Sequence, residues 1–114
     1  FTPRLGSEVR DYDLGILFDP SWPLEEAAAE SLLHGLRRAG FDARANQPYL
    51  GTDDGVATWL REFFPKSSYG GVEIEVSHAV TERPGGLDAV IGLLRGLIPE
   101  TLGRLREVPP AFEG

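Results

Sequence analysis

The chain has no cysteine in its 114 residues. Disulfides, a thiolate nucleophile and any Cys-based zinc or iron–sulfur site are therefore excluded. Lysine is almost missing as well, Lys66 being the sole example, and 11 basic residues face 18 acidic ones for a net charge of -7. That balance argues against a nucleic acid or an anionic membrane surface as a partner. No apolar run is long enough to cross a bilayer. No HExxH, EF-hand, Walker or GxSxG pattern is present. The first residue is Phe and no charged leader with a cleavable apolar region follows it, so the chain is expected to begin inside a longer sequence. The lack of cysteine fits a cytoplasmic protein.

What is there is an ordinary globular composition, 41% apolar and 25% charged. A chain of this size buries about two-thirds of its unfolded surface, which suffices for one core. Residues 1–11 read as irregular. The continuous apolar run Leu14–Phe18 predicts a strand buried on both faces. Pro23 suits the first turn of a helix running to Arg38, with Glu25 and Glu26 favoured by its dipole and Gly40 as its stop. Phe41–Ala45 alternates and predicts a second strand. Asp53 or Asp54 starts a helix reaching about Phe64, with Val56, Leu60 and Phe63/Phe64 turned inward. The third strand is Gly71–Val76. Residues 80–86 read as a turn-rich link to a helical stripe of Leu87, Val90, Ile91, Leu94, Leu97 and Ile98, which Pro99 ends or kinks, with further helix expected over Glu100–Arg106. The stretch 108–114 reads as a loose tail.

Alternating strand–helix units of this kind predict an α/β fold with a parallel or mostly parallel sheet. Three strands leave two open edges, which invite further strands or self-association.

The third strand carries the strongest polar signal. Val72, Ile74 and Val76 share one face, leaving Glu73 and Glu75 on the other. Between helices that cover both faces of a parallel sheet, an unpaired carboxylate costs several kcal/mol, roughly, unless water, a base or a metal compensates it. Ligands of open α/β sheets sit beyond the carboxyl ends of the strands. Asp19, Asn46 and Glu75 fall near three such ends. Asp19, before Pro20, reads as a turn former, and Glu73 as solvated or paired with an arginine. Asn46 is open between a turn and a ligand contact, and Tyr49 between core cover and substrate contact. Glu75 is read as functional. His78 follows the third strand and could approach a site at its carboxyl end; His34 reads as a helix-surface residue.

Three ordered stretches carry a family likeness: Phe1-Thr2-Pro3 with Arg10 and the Leu14–Asp19 strand; Asn46-Gln47-Pro48-Tyr49-x-Gly51; and Gly71–Val76. Together they resemble the carboxy-terminal part of the N-formylglutamate amidohydrolase family, over Phe1 to about Val80. The resemblance implies part of a zinc carboxypeptidase-like fold, residues 1–114 being the carboxy-terminal half of a larger hydrolase domain. It implies a zinc enzyme that cleaves N-formylglutamate, or a related acylated amino acid, in histidine degradation. Zinc ligands are then expected upstream of Phe1, in the missing amino-terminal half, with no metal bound by this chain alone and the isolated fragment inactive. Glu75 matches the catalytic carboxylate, which takes a proton from water and returns it to the departing amine. Asn46 and Tyr49 match a loop at the substrate pocket. Arg10 is either the counter-charge for an acidic substrate or a surface salt bridge.

A competing expectation is a non-catalytic α/β module whose crevice or sheet edge binds a partner. A phosphoacceptor receiver domain fits poorly, because Lys66 precedes the third strand and no acidic pair follows the first.

Overall fold

A computed structural model describes residues 1–108; the expected loose tail lies, from residue 109 onward, outside them. The chain opens with a hairpin, β1 (Arg4–Leu5) and β2 (Glu8–Val9), in a stretch expected to be irregular. Its residues are exposed, so no apolar periodicity announces it. The apolar run then forms β3 (Leu14–Leu17), with every residue buried. Trp22 and Pro23 lead into α1 (Pro23–Arg38), which has Glu25 and Glu26 in its first turn and Arg37 and Arg38 in its last. These charges complement the helix dipole at both ends. β4 (Ala43–Ala45), the short α2 (Val56–Leu60), β5 (Glu73–Val76), α3 (His78–Thr81) and α4 (Gly86–Leu105) complete the order.

The sheet is ordered β4-β3-β5 and is mixed. β3 and β4 run parallel, as expected. β5 runs antiparallel to β3, with Leu14 opposite Val76 and Leu17 opposite Glu73, which corrects the expectation of a parallel sheet. Alternation of strands and helices constrains direction only when each connection crosses back over the sheet. Here α2 is a single short turn region, and residues 61–72 return the chain to β5 from the far end.

Both long helices pack together against one sheet face. Leu14, Ile16, Leu33, Leu36, Val80 and Val90 form the core there, flanked by Val72, Ile74, Val76, Leu94 and Leu97. Complete burial of such a side chain stabilises by roughly 1.5–3 kcal/mol. The opposite face, that of Gly15, Leu17, Glu73 and Glu75, carries a loop instead of a helix. The premise of a strand enclosed by helices on both sides therefore fails, and Glu73 stays exposed and Glu75 half-buried.

Three local features bear on the remaining expectations. α4 continues through Pro99 as one helix and takes in most of the helix expected over Glu100–Arg106, and its far half is tied to α1 where the Thr101 hydroxyl donates to Ser31 Oγ at 2.9 Å. α3 replaces part of the expected link, capped by Ser77, whose Oγ accepts from the Ala79 amide. α2 buries only Ala57; Val56 and Phe63 are 72% and 61% exposed, against the inward orientation expected of them. No helix among the described residues is long and apolar enough to cross a membrane.

Candidate functional site

The loop after β4 is built around one amide. Asn46 sits at φ 52, in the left-handed region that asparagine tolerates better than most residues. Its Oδ1 accepts hydrogen bonds from the Phe18 amide at 3.0 Å and the Gly51 amide at 2.9 Å. That carbonyl thus fastens the end of β3 to the end of the loop. A cis peptide joins Gln47 to Pro48, and this turn lies directly over Gly15. A Cβ at Gly15 would overlap the Gln47 carbonyl oxygen, and one at Gly51 would overlap the Phe18 backbone. Within the Asn46-Gln47-Pro48-Tyr49-x-Gly51 pattern, Asn46 is thereby accounted for by its side-chain bonds and Gly51 by close packing of backbone on backbone.

Tyr49 is what the loop presents. It lines a cleft of about 270 Å³ with Leu17, Leu50, Asp53, Asp54, Glu73 and Glu75. The cleft lies at the carboxyl end of β3, against the sheet face that lacks a helix. Because β5 is antiparallel, Glu73 is the residue at that strand end, and Glu75 lies one pleat deeper, opposite Gly15. Neither carboxylate is held in an ion pair among the described residues. Asp53 is partly committed, its Oδ2 accepting from the Leu50 amide at 3.0 Å. A larger hollow of about 390 Å³ runs along α1 beside Glu30, His34, Arg37 and Arg38, an open furrow on one helix surface away from these strand ends.

Arg10 joins the cleft through Tyr49. Its guanidinium lies over the Tyr49 ring at 5.4 Å and contacts Glu8 Oε2 at 3.2 Å. It is no surface side chain: Arg10 is 4% exposed, and its Nε is buried with no hydrogen-bond partner. Burial works against its charge, but the Glu8 carboxylate and the Tyr49 hydroxyl outweigh it and raise its pKa. Asp19 closes an Asx turn, its Oδ1 accepting from the amide and hydroxyl of Ser21 at 2.9 and 2.7 Å. Partial burial pushes the Asp19 carboxyl up, but these two bonds, with the charges of Arg61 and Lys66, hold it below the ordinary aspartate value.

The antiparallel course of β5 carries His78 to the opposite end of the sheet. Its amide donates to the Phe1 carbonyl at 2.7 Å, while the Phe1 amino group donates to the Val76 carbonyl at 2.7 Å. His78 therefore starts α3 on the side remote from Glu73 and Tyr49, contrary to the expected approach.

One buried polar contact among the described residues was not expected from the sequence. Glu25, fully buried, forms a bidentate pair with Arg61, at 2.8 Å from Nε and 2.6 Å from an η-nitrogen. The Asp19 amide donates to the same carboxylate at 2.9 Å. Arg61 also donates to the Gly51 carbonyl at 2.7 Å, the Gly71 carbonyl at 3.2 Å and Thr58 Oγ1 at 3.3 Å. Burial opposes the Arg61 charge, but the hydrogen bond to Glu25 dominates and raises its pKa. An acidic residue in a first helical turn is explained by the dipole alone, so nothing in the local pattern marks Glu25 as buried.

Among the described residues no group of three or more His, Asp and Glu side chains is placed to hold a metal ion. No family model and no curated protein matches the chain. A solved structure, that of gene product Atu2144 from Agrobacterium tumefaciens, is similar to it at 28% identity and a TM-score of 0.70, over 93% of this chain. The chain spans 40% of that protein's length.

Proposed function

We propose that this chain contributes the proton-transfer carboxylate and the substrate-anchoring loop of a zinc-dependent amidohydrolase that acts on N-formylglutamate or a related acylated amino acid. The reading includes a zinc carboxypeptidase-like fold for the whole protein and a cytoplasmic setting. One observation supports it above the rest: Glu75 lines the cleft beside Tyr49 and has no ion-pair partner among the described residues. A carboxylate left free on a rigid strand is positioned to accept a proton.

In this reading Glu75 takes a proton from the attacking water as its oxygen adds to the amide carbon. The same proton then passes to the nitrogen as the C–N bond breaks, giving formate, or the corresponding acid, and the free amino acid. Tyr49 anchors the carboxylate of the substrate, and the Arg10 guanidinium behind its ring supplies the counter-charge. Asn46 acts on substrate through the loop, since its carbonyl oxygen is already bonded to two backbone amides. The described residues do not fit a zinc ion, so the ligands in this reading lie elsewhere in the protein. The roles open to this chain are proton transfer and anchoring.

The test is Glu75→Gln in the intact protein. Turnover of N-formylglutamate is expected to fall by about 10²–10⁴-fold, the usual contribution of a positioned acid–base group, with zinc content per molecule unchanged. Activity retained in that variant rejects the assignment.

A further inference from the structure

We propose that the buried Glu25–Arg61 pair is the positioning device of the candidate site, setting the distance between the loop that carries Tyr49 and the strand that carries Glu75. Its functional sense rests on the hydrolase reading above; its structural sense does not. A guanidinium has five N–H donors in a fixed plane, and five hydrogen bonds leave Arg61: two to Glu25 and one each to Gly51, Gly71 and Thr58. The partners belong to four separate pieces of the chain. Glu25 stands on α1, Thr58 on α2, Gly51 ends the Asn46 loop, and Gly71 leads into β5.

The spacing gives the pair its purpose. Gly51 lies two residues beyond Tyr49, and Gly71 two residues before Glu73. One rigid side chain therefore spans both walls of the cleft from behind. Glu25 in turn holds the Arg61 plane in orientation, and through the Asp19 amide it ties that plane to the end of β3. The side chains of Arg61 and Glu25 are only 7% and 0% exposed. Desolvating such a pair costs about as much as its attraction returns, so stability alone gives little reason to keep it. A fixed, planar, five-way junction gives a better one. Lysine at this position would keep the charge but not the fork that reaches Gly51 and Gly71 together.

Arg61→Lys and Glu25→Gln in the full chain test the proposal by amide chemical shifts. Both variants are expected to keep the native spectrum of α4 while the signals of Tyr49–Gly51 and Gly71–Glu75 move. In the intact protein, turnover per folded molecule should fall about tenfold to hundredfold, the effect of misplacement by about 1 Å, and KM should rise with it. Lowered melting with unmoved cleft signals would show a purely structural pair and overturn the proposal. Loss of the native spectrum in both variants would overturn it too, since the pair would then be a requirement for folding. Moved cleft signals in a protein whose Glu75→Gln variant stays active would uphold the positioning role and reject the hydrolase reading.

Discussion

Glu75 lies directly across the antiparallel ladder from Gly15, the one position of β3 that has no side chain. That absence lets the Gln47–Pro48 turn settle on the sheet, so backbone carbonyl rather than aliphatic carbon neighbours the ladder at that point. The turn in its place brings Tyr49 to the rim of the cleft that Glu75 lines. A glycine in the middle of a buried strand is usually a weakness. Here it makes room for a polar wall.

Gly15→Ala should show how much depends on that room. The added methyl meets the Gln47 carbonyl, and either the turn lifts or the strand shifts. We expect a loss of about 1–3 kcal/mol in a denaturant melt, as for overpacking in general. A variant as stable as the parent would mean that the turn does not lie where it is described.

Asn46→Ala removes the acceptor shared by the Phe18 and Gly51 amides and leaves both without it. The expected cost is about 1–3 kcal/mol. Asn46→Asp keeps an oxygen in that position and tolerates the left-handed backbone, so it should recover most of the loss. If the two substitutions proved equally harmful, the acceptor role would be rejected.

Asp19 makes stability depend on acid. Folding holds its carboxyl below the ordinary value of 3.8, so its contribution is complete above that pH and declines as pH falls toward the folded value. Asp19→Asn should therefore be less stable near neutrality and show a shallower loss below pH 3.8. Parallel acid limbs in the two proteins would count against the stated hydrogen bonds.

Thr101→Val breaks the hydroxyl contact between α4 and α1 and leaves Ser31 buried without that donor. A loss of about 1 kcal/mol is expected. Replacing both residues, Thr101→Val with Ser31→Ala, should recover part of it, because no buried hydroxyl then lacks its partner. Additive losses in the double variant would show that the two side chains do not interact.

Much of the frame was legible locally. The unbroken apolar run of β3, the helix of α1 with its charged ends and the stripe of α4 each state their type through spacing and dipole. Glu73 and Glu75 were placed on one strand face by alternation alone, and the structure puts both in the same cleft. The hairpin of β1 and β2 escaped because its residues are exposed and only two long in each strand. α2 was overextended because its apolar residues look like a buried face, whereas Val56, Trp59, Phe63 and Phe64 remain open to solvent.

Residue order by itself determined that β3, β4 and β5 are strands, that α1 and α4 are helices and that Glu73 and Glu75 share a face, because those follow from repeat distances along one backbone. Only the folded molecule decided the direction of β5, the burial of Glu25 against Arg61 and the contact of Thr101 on α4 with Ser31 on α1. Each of these depends on contacts between segments 30 or more residues apart, as the Glu25–Arg61 and Ser31–Thr101 separations of 36 and 70 illustrate. No local period encodes which distant surface a side chain will meet.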